Sequence, residues 1–334
     1  MSEVRAKKAL GQHFLVDLNI ARKICDALSE GVRPGTSAGE SAPADMAGNA
    51  GAGADTRVGT DGCADAGVGS LNGGGAGLAA GADARIAADT TAAGAPAAAE
   101  AGRGGAVPCD VLEVGCGMGV LTQFLLRRGD ITTYGAEIDP ESVEYLHAHF
   151  PEFAPRLIEG DFLKMNLRER FPRGLKIIGN FPYNISSQIF FKVLEHRDLV
   201  PECVGMIQKE VAVRIAEPPG SKEYGILSVL LQAWYDIEYL FTVNETVFNP
   251  PPKVKSAVIR LRRNSVGRLG CDEALFVKVV KASFGQRRKM IRNSLRAVFG
   301  DFGGAEHPFF TQRAEQLSVA DFVQLTDWVA ANRK

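Results

Sequence analysis

The sequence predicts an α/β fold: a Rossmann-like sheet of seven strands with flanking helices, followed by a small helical domain at the carboxyl terminus. Three observations lead to it. The apolar run at residues 110–114 opens into the glycine-rich stretch Gly115-Cys116-Gly117-Met118-Gly119, which a helical pattern follows. Later apolar runs end in acidic or amide residues. Beyond about residue 264 the apolar spacing is helical only.

The composition separates an inserted segment from the rest of the chain. Between residues 35 and 106, 42 of 72 residues are Gly or Ala, and no aromatic residue occurs. Such a segment cannot bury enough apolar surface to offset its ordering entropy, so we expect a disordered insertion over residues 35–106. The overall net charge is −1, but the remainder carries 35 basic and 31 acidic residues.

The cysteine pattern and the hydropathy of the chain indicate its cellular compartment. The six cysteines are scattered without a Cys-x-x-Cys pair, which indicates reduced thiols in a cytoplasmic protein and no metal site. The first eleven residues are charged and lack the apolar core of a signal peptide. No stretch approaches the roughly 18 apolar residues of a membrane span, so no membrane association is expected.

The first segment, residues 1–34, is predicted to carry a helix of the sheet domain. Ile20, Ile24 and Leu28 lie on one helical face, and Asp17 is a candidate N-cap. The stretch Gly11-Gln12-His13-Phe14-Leu15 precedes this helix. A pocket-lining role and a purely structural role are both compatible with His13.

The strand, glycine loop and helix at residues 110–128 form a nucleotide-binding unit. Glycines let a ligand approach the backbone, and the helix, predicted over residues 120–128, presents free N–H groups. The dinucleotide pattern G-x-G-x-x-G is not met, because Val120 occupies its last position. The pattern Glu-x-Gly-x-Gly-x-Gly from Glu113 onward is instead similar to the first motif of S-adenosylmethionine (SAM) methyltransferases.

Acids stand at the ends of the next two predicted strands. The second strand, residues 132–138, brings Glu137 about twenty residues beyond the glycines, where a carboxylate can accept both ribose hydroxyls. Glu137 is a better candidate than Asp139, which precedes Pro140 and has the position of a helix N-cap. The third strand, residues 157–162, brings Asp161, whose carboxylate suits an adenine amine, although a plain Gly-Asp turn also accounts for it.

A fourth strand stops at Asn180, and Phe181-Pro182-Tyr183 follow it. The side-chain carbonyl of Asn180 is an acceptor for an exocyclic amine, and Pro182, with its fixed φ, stiffens the turn. Tyr183, with Phe181 as a second candidate, offers a ring on which a flat base can stack. An ordinary β-to-α turn has a similar composition. In series with the three earlier strand ends, however, the pattern predicts a SAM-dependent, amine-directed methyltransferase.

The remaining pattern completes the sheet and adds helices. A strand is predicted at residues 203–208 and an antiparallel pair at 235–243 and 256–262, with intervening helices at 209–217 and 225–235. We place a SAM-binding catalytic domain at residues 107–263 and an RNA-binding helical domain at 264–334. Helices in the second domain are predicted at residues 273–284, 287–299, 311–316 and 319–331, the last capped by Ser318.

A run of bases without an acid marks the helical domain between residues 276 and 300. It contains Lys278, Lys281, Arg287, Arg288, Lys289, Arg292 and Arg296. Phosphate contacts by such bases depend on salt and do not read base sequence. A solvated basic helix is the plain alternative. Beside a base-directed active site we favour RNA binding, with Arg287, Arg288, Lys289 and Arg292 as the candidates.

Taken together, the chain resembles the ribosomal RNA adenine dimethyltransferases of the KsgA type. Besides the stretches above, the resemblance rests on Lys209-Glu210-Val211, Tyr224-Gly225, Val247-Phe248-Asn249-Pro250-Pro251-Pro252-Lys253-Val254-Lys255-Ser256 and Phe284-Gly285-Gln286-Arg287-Arg288-Lys289. It covers nearly the whole chain except residues 35–106, where the family has a short connection.

The resemblance implies a class I SAM-dependent methyltransferase that dimethylates the N6 amines of two neighbouring adenines. These lie in a hairpin near the 3′ end of small-subunit (16S) ribosomal RNA, and the implied partner is the immature small ribosomal subunit, modified by a monomer during subunit biogenesis. The implied SAM contacts are His13, Leu15, Gly115, Gly117, Glu137, Asp161 and Asn180. The implied receptors of the target adenine are Asn180, Phe181, Pro182 and Tyr183. Phe181 stands where the family more often has Leu, and His13 where Asn is frequent.

Other functions remain open on the sequence. Large-subunit ribosomal RNA dimethyltransferases of the macrolide-resistance type share the fold and the Asn-x-Pro-Tyr pattern, although the stretch at residues 284–289 argues against them. A DNA adenine methyltransferase is disfavoured because no separate base-reading domain is visible. A non-catalytic ribosome-assembly or transcription factor on the same fold is a third alternative, and the intact Glu137, Asp161, Asn180 and Tyr183 argue against lost catalysis.

Overall fold

The computed structural model of the chain describes residue 4 and residues 6–7, 10–31 and 108–333. The insertion predicted at residues 35–106 lies outside the described residues. The strands of the described part are β1 (Phe14–Leu15), β2 (Cys109–Val114), β3 (Ile131–Glu137), β4 (Leu157–Glu159), β5 (Lys176–Asn180), β6 (Glu202–Gln208), β7 (Tyr235–Val243), β8 (Phe248–Asn249) and β9 (Ser256–Arg263).

Helices flank these strands and follow them in the chain. They are α1 (Leu18–Asp26), α2 (Thr122–Leu125), α3 (Pro140–His149), α4 (Leu167–Arg170), α5 (Ser186–Glu195), α6 (Lys209–Ala216), α7 (Ile226–Gln232), α8 (Glu273–Gly285), α9 (Ile291–Phe299) and α10 (Val319–Asn332).

The seven-stranded α/β sheet is confirmed, with the order β4-β3-β2-β5-β6-β9-β7. Strands β2 to β6 pair in parallel. Strand β9 runs antiparallel to both of its neighbours, β6 and β7. The two short strands β1 and β8 form a separate antiparallel pair. Because the chain proceeds outward from β2 in one direction and from β5 in the other, the order reverses between these two strands.

The predicted first and last helices are confirmed together with their caps. The Asp17 carboxylate accepts hydrogen bonds from the backbone N–H groups of Asn19 (2.8 Å) and Ile20 (3.2 Å) at the start of α1. The Ser318 hydroxyl accepts from the N–H of Asp321 (3.2 Å) at the start of α10. Each cap satisfies a donor that the first helical turn leaves free.

Several helices are shorter than predicted. Helix α2 covers only Thr122–Leu125, because the turn into β3 begins directly after it. Helix α9 begins at Ile291 and not at residue 287, because the Ile291 N–H donates to the carbonyl of Gln312 (2.8 Å) and so cannot continue a helix backwards. The helix predicted at 311–316 is a pair of 3-10 turns, Pro308–Thr311 and Ala314–Gln316. The helix predicted at 225–235 ends at Gln232, since Tyr235 already opens β7.

The helical region shares a hydrophobic core with the sheet domain. The ring of Trp234, at the end of α7, meets the Phe276 ring of α8 edge to face at 6.0 Å. Arg197 lies over the Trp234 ring at 4.5 Å and forms an ion pair with Glu273. Residues 1–34 and 106–334 cluster as one unit. The division at residue 264 stays a prediction. No helix in the described ranges has the length and apolarity to cross a membrane.

Described residues on either side of the inserted segment meet at Asp130, just before β3. The N–H of Gly31, the last described residue before it, donates to the Asp130 carboxylate (2.7 Å). The N–H of Cys109, at the start of β2, donates to the Asp130 carbonyl (3.4 Å). The hydrogen bond from Arg128 lowers the pKa of Asp130 to about 2 and keeps this anchor charged. Described residues on both sides of the segment are therefore bonded to the same residue, Asp130.

The contacts of Gly31 and Cys109 with Asp130 lead to a prediction for the inserted segment. Replacement of residues 32–107 by a ten-residue Gly-Ser linker is expected to raise the free energy of unfolding by about 2 kcal/mol, because loop-closure entropy grows with the logarithm of loop length. Urea unfolding followed by circular dichroism measures it.

A variant that carries residues 35–106 in scrambled order, at unchanged length, is the matched control and should unfold like the parent chain. Loss of cooperative unfolding in the linker variant alone would contradict the prediction.

Candidate active site

A cavity of about 210 Å³ opens at the carboxyl ends of β2, β3 and β5, where the strand order reverses. Open α/β sheets bind ligands at this position. Its lining includes all the residues that the sequence predicted for cofactor and target base: His13, Leu15, Gly115, Gly117, Glu137, Asp161, Asn180, Phe181, Pro182 and Tyr183. The structure thus brings ten residues from five segments together. Which of them contact SAM or adenine stays a prediction.

The glycine loop after β2 exposes its backbone to the cavity. Gly115, Gly117 and Gly119 have φ angles of 76°, 53° and 73°, a region that glycine adopts without strain. A Cβ atom on Gly117 would lie 3.1 Å from the Phe14 ring, so the loop also packs closely against the first segment of the chain. Substitution there would disturb both the loop and β1.

Glu137 links the glycine loop to the end of β3. One carboxylate oxygen accepts from the N–H of Gly117 (2.8 Å), and the other accepts from the N–H groups of Ile138 and Asp139 (2.9 Å each). Burial raises the pKa of this carboxyl, and the three N–H groups counteract it. A carboxylate has about four acceptor positions, so roughly one remains for a ligand. For Glu137 to accept both ribose hydroxyls, as expected, one of the three N–H groups must therefore give up its hydrogen bond to the carboxylate.

Asp139 occupies the N-cap position of α3, but its carboxylate does not bond to the helix backbone. It accepts from the Ser142 hydroxyl (2.9 Å) and forms an ion pair with Lys7. Burial would raise the pKa of Asp139, yet the hydrogen bonds from Lys7 and Ser142 outweigh it and lower the pKa. Lys7 also reaches Glu141 at 3.1 Å. These contacts hold the first segment of the chain beside the cavity.

Glu113, in the first position of the glycine pattern, is a feature whose role sequence reasoning missed. Its side chain is fully buried and accepts a 2.6 Å hydrogen bond from the Thr122 hydroxyl of α2. Burial raises the pKa of Glu113 to about 8, so the carboxyl is largely protonated at neutral pH. The pair joins β2 to α2 across the glycine loop. In the sequence, the signal for this role was an acidic residue inside a largely apolar strand.

Strand β4 ends at Glu159 and not at the predicted residue 162, because Asp161, two residues further on, caps a 3-10 turn. One carboxylate oxygen accepts from the Leu163 N–H (2.9 Å). Lys164, at 4.0 Å from the other oxygen, is largely exposed. Asp161 keeps more acceptor capacity than Glu137 does, which agrees with its predicted role toward an amine.

Asn180 ends β5 and is oriented by the first segment of the chain. Its side-chain NH₂ group donates to the backbone carbonyl of His13 (2.9 Å). This bond assigns the amide orientation, because the donor side faces His13 and the carbonyl oxygen Oδ1 is left as an acceptor. His13 in turn donates from Nδ1 to the carbonyl of Pro250 (2.9 Å).

Tyr183 forms an aromatic wall together with His13. The two ring centroids lie 5.3 Å apart with the planes tilted by 31°. The Tyr183 hydroxyl hydrogen-bonds to the Ser256 hydroxyl (2.5 Å) at the start of β9. Burial raises the pKa of Tyr183, so the hydroxyl stays neutral. The contact fixes the ring without giving it a charge.

Phe181 does not have the predicted stacking geometry. Its side chain is 1% exposed, and its ring packs edge to face against Phe190 at 5.8 Å. Space for it comes from Gly179 and Gly205, where added Cβ atoms would lie 2.9 and 2.5 Å from the ring. The ring is thus part of the core, and the contribution of Phe181 at the cavity is its backbone. The prediction that its ring stacks a base is corrected accordingly.

The four basic candidates of the carboxyl-terminal region differ in their surroundings. Arg287 donates to the carbonyls of Lys222 and Tyr224 (2.9 Å to the latter) and so anchors a loop. Arg292 forms an ion pair with Glu306. Arg288 and Lys289 are exposed, and among the described residues neither side chain has a hydrogen-bond or ion-pair partner. Phosphate binding fits the last two best and stays a prediction for all four.

The described residues contain no group of His, Cys, Asp and Glu side chains that could hold a metal ion. The cavity does fit SAM in its donor set. Backbone groups of the glycine loop are accessible, the carboxylates of Glu137 and Asp161 face the same space, and Ile138, half exposed, adds an apolar wall.

Comparison with known proteins agrees with this geometry. The family model described as ribosomal RNA adenine dimethylase matches residues 108–331. A ribosomal RNA small subunit methyltransferase A from Parabacteroides distasonis is 61% identical over 218 residues, 65% of this chain and 81% of that protein. The protein of the same name from Porphyromonas gingivalis is 46% identical over 330 residues, 98% of each chain.

Among solved structures, a dimethyladenosine transferase from Plasmodium falciparum superimposes with a TM-score of 0.56 at 26% identity. The match covers 67% of this chain and 90% of that one. The similarity thus extends from the sequence to the arrangement of the sheet.

Glu113 is expected to make stability depend on pH. Because its pKa in the folded chain, about 8, exceeds its ordinary value of 4.5, the stabilisation is complete below pH 4.5 and is lost as the pH rises through 8. Between these values the free energy of unfolding falls by at most about 1.4 kcal/mol per pH unit from this group. Glu113→Gln should flatten the decline, as measured by urea unfolding from pH 5 to 8.5.

The exposed Glu144→Gln variant is the matched control and should follow the parent chain at every pH. An equally steep decline in Glu113→Gln would show that other groups cause it.

The packing of Phe181 leads to a double-mutant test. Gly205→Ala should lower the free energy of unfolding by about 1–3 kcal/mol, since the new methyl group overlaps the Phe181 ring. Adding Phe181→Leu should recover most of that loss. Gly179→Ala is the control that Phe181→Leu should not rescue, because its methyl group also meets the Val114 carbonyl oxygen at 2.5 Å. Equal rescue of both variants would contradict the assigned contacts.

Proposed function

The chain belongs to the ribosomal RNA adenine dimethylase family, and we propose that its substrate is the small-subunit ribosomal RNA of an immature small ribosomal subunit. It is a SAM-dependent ribosomal RNA adenine dimethyltransferase. The proposed targets are the N6 amines of two neighbouring adenines in a hairpin near the 3′ end of that RNA. The observation that carries the proposal is the Asn180 amide, which the His13 carbonyl orients so that Oδ1 is an acceptor beside Pro182.

The SAM-binding role is proposed for the strand ends. Glu137 and Asp161 would hold the ribose and the adenine amine of SAM, and the backbone at Gly115 and Gly117 would lie against its methionine part. His13, Leu15 and Asn180 complete the set. When bound, SAM supplies a methyl group already activated on a sulfonium. The protein therefore has to position the amine more than to activate the methyl group.

The amine of adenine is a weak nucleophile, because its lone pair is delocalised into the ring. Oδ1 of Asn180 and the Pro182 carbonyl would accept its two hydrogens and favour a localised lone pair. Tyr183 would stack the base, and its ring is held in place by the Ser256 hydroxyl. The base must leave its stack to enter, as in other enzymes that act on a nucleobase. Glu113 and Glu137 already accept hydrogen bonds from the chain, so neither is assigned to proton transfer.

The names of the similar bacterial proteins support the small-subunit substrate over a large-subunit one, and the intact cavity supports an enzyme over a non-catalytic assembly factor.

We further propose that the protein acts as a monomer in the cytoplasm during subunit biogenesis. RNA binding by the helical region would involve Arg288 and Lys289 directly. Arg287 would act by holding the loop at residues 222–224.

Transfer of labelled methyl groups from SAM to small ribosomal subunits that lack the modification tests the proposal. Dimethyladenine should form in the small-subunit RNA only, with large subunits and duplex DNA as controls. Label in large-subunit RNA would favour the resistance-type activity. Tight subunit binding without any label would favour an assembly factor.

Two variants locate the reaction within the cavity. Asn180→Ala should lower the methyl-transfer rate by about 100-fold or more, the scale of losing one preorganised hydrogen-bonding group. Tyr183→Ala should lower it strongly as well, whereas Tyr183→Phe keeps the ring and should retain most of the activity. Equal losses in the two Tyr183 variants would contradict the stacking role.

A further inference from the structure

A second cavity, of about 640 Å³, lies beside the active site and belongs to none of the roles described above. Its walls include Lys209, Val254 and Lys255. Lys253 is exposed next to Val254 in the chain. We call these four residues the lysine groove. Residues 250–252 before it are three consecutive prolines, whose fixed φ angles restrict the segment that carries Lys253 and Lys255.

Backbone contacts place the lysine groove at the mouth of the active site. The N–H of Lys209 donates to the carbonyl of Lys255 (2.9 Å), which joins the start of α6 to the loop before β9. Ser256 follows Lys255 directly and pairs with Gln208 in the sheet register. The same Ser256 hydroxyl holds the Tyr183 ring. Lys255 thus directly precedes the residue whose hydroxyl bonds to Tyr183 in the proposed base site.

The charges of the lysine groove are available to a ligand. Lys209, Lys253 and Lys255 are exposed, and among the described residues their side chains have no ion-pair partner. Two acids also line the cavity, Glu210 and Glu223. Arg214 forms an ion pair with Glu210 at 2.9 Å. Among the described residues Glu223 has no ion-pair partner, so Lys209 and Lys255 share the wall with one unpaired acid. Val254 is 45% exposed between the lysines and offers an apolar contact for a sugar or base.

The far end of the cavity leads to the helical region. Glu223 in its wall lies between Lys222 and Tyr224, whose carbonyls accept the Arg287 guanidinium. Arg288 and Lys289 follow directly. The loop at residues 222–224 therefore connects the wall of the cavity to Arg287, next to the exposed bases Arg288 and Lys289.

We propose that the lysine groove binds the phosphate backbone of the RNA strand that carries the target adenine, and so guides the flipped nucleotide into the active site. The proposal rests on the proposed function. A polyanionic strand fits better than an acidic peptide because the exposed lysines adjoin the segment that bonds to Tyr183 in the proposed base site. The lysines would act in binding and not in the methyl transfer.

The test compares two triple variants of equal charge. Lys209→Gln/Lys253→Gln/Lys255→Gln removes the groove charges. Lys23→Gln/Arg170→Gln/Arg173→Gln removes three exposed bases away from it. Affinity for unmodified small-subunit RNA is measured against salt, together with kcat and KM for methyl transfer to small subunits. Thermal unfolding and SAM binding confirm that each variant is folded with a working cofactor site.

The groove variant should lose about two units of the slope of log affinity against log salt, since each phosphate contact to a single strand contributes about 0.7. Its KM should rise with kcat nearly unchanged, and a triple Lys→Arg variant should restore both. The control variant should keep the parent slope. A parent-like slope and KM in the groove variant overturn the proposal.

The other outcomes are also decisive. A parent-like slope on RNA with weakened binding to whole subunits would assign the groove to a ribosomal protein and overturn the proposal. Absence of methyl transfer to small subunits by the parent chain would refute the proposed function, and the slopes on RNA would still decide whether the groove binds phosphate.

Discussion

The buried carboxylate of Glu137 is the interaction on which the candidate active site depends. Its two oxygens hold three backbone N–H groups, one from the glycine loop and two from the turn after β3. Without it, a loop of glycines would have many conformations open to it. The carboxylate therefore stabilises the conformation of the glycine loop and of the turn after β3. It stands at the position where a ribose acceptor is expected. A ribose bound at Glu137 would exchange hydrogen bonds with these N–H groups.

The first segment of the chain completes this site through contacts that are remote in sequence. Lys7 binds Asp139 at the end of β3, the His13 carbonyl orients Asn180 at the end of β5, and the His13 ring bonds to Pro250 before β9. The partners of these contacts lie far apart in the chain, and the folded sheet brings them together. Gly31 and Cys109, described residues on either side of the inserted segment, both bond to Asp130.

The basic side chains of the helical region are distributed differently from their pattern along the chain. The run at residues 276–300 contains no acid, but Arg292 forms an ion pair with Glu306 and Arg296 with Asp301. The guanidinium of Arg287 donates to two backbone carbonyls. Lys209 and Lys255 are joined by a backbone hydrogen bond, and Ser256, the residue after Lys255, bonds to Tyr183. Fewer bases of the run are exposed without a partner among the described residues than the sequence suggests.

The amino-acid sequence was enough to predict the α/β class, the seven strands of the main sheet, the glycine loop and the cavity residues at the strand ends. Strand ends and turn residues are local features, and the carboxyl ends of parallel strands must meet. The sequence also predicted the caps at Asp17 and Ser318, which depend on neighbouring residues only. Tertiary structure alone decided that the Phe181 ring belongs to the core, since the space for it is left by Gly205 on the adjacent strand. It alone decided the starting point of α9, the partner of Glu113 and the amide orientation of Asn180. Each of these features depends on an atom that another segment of the chain brings within hydrogen-bonding or van der Waals distance. The spacing of residues along one segment gives no information about that distance.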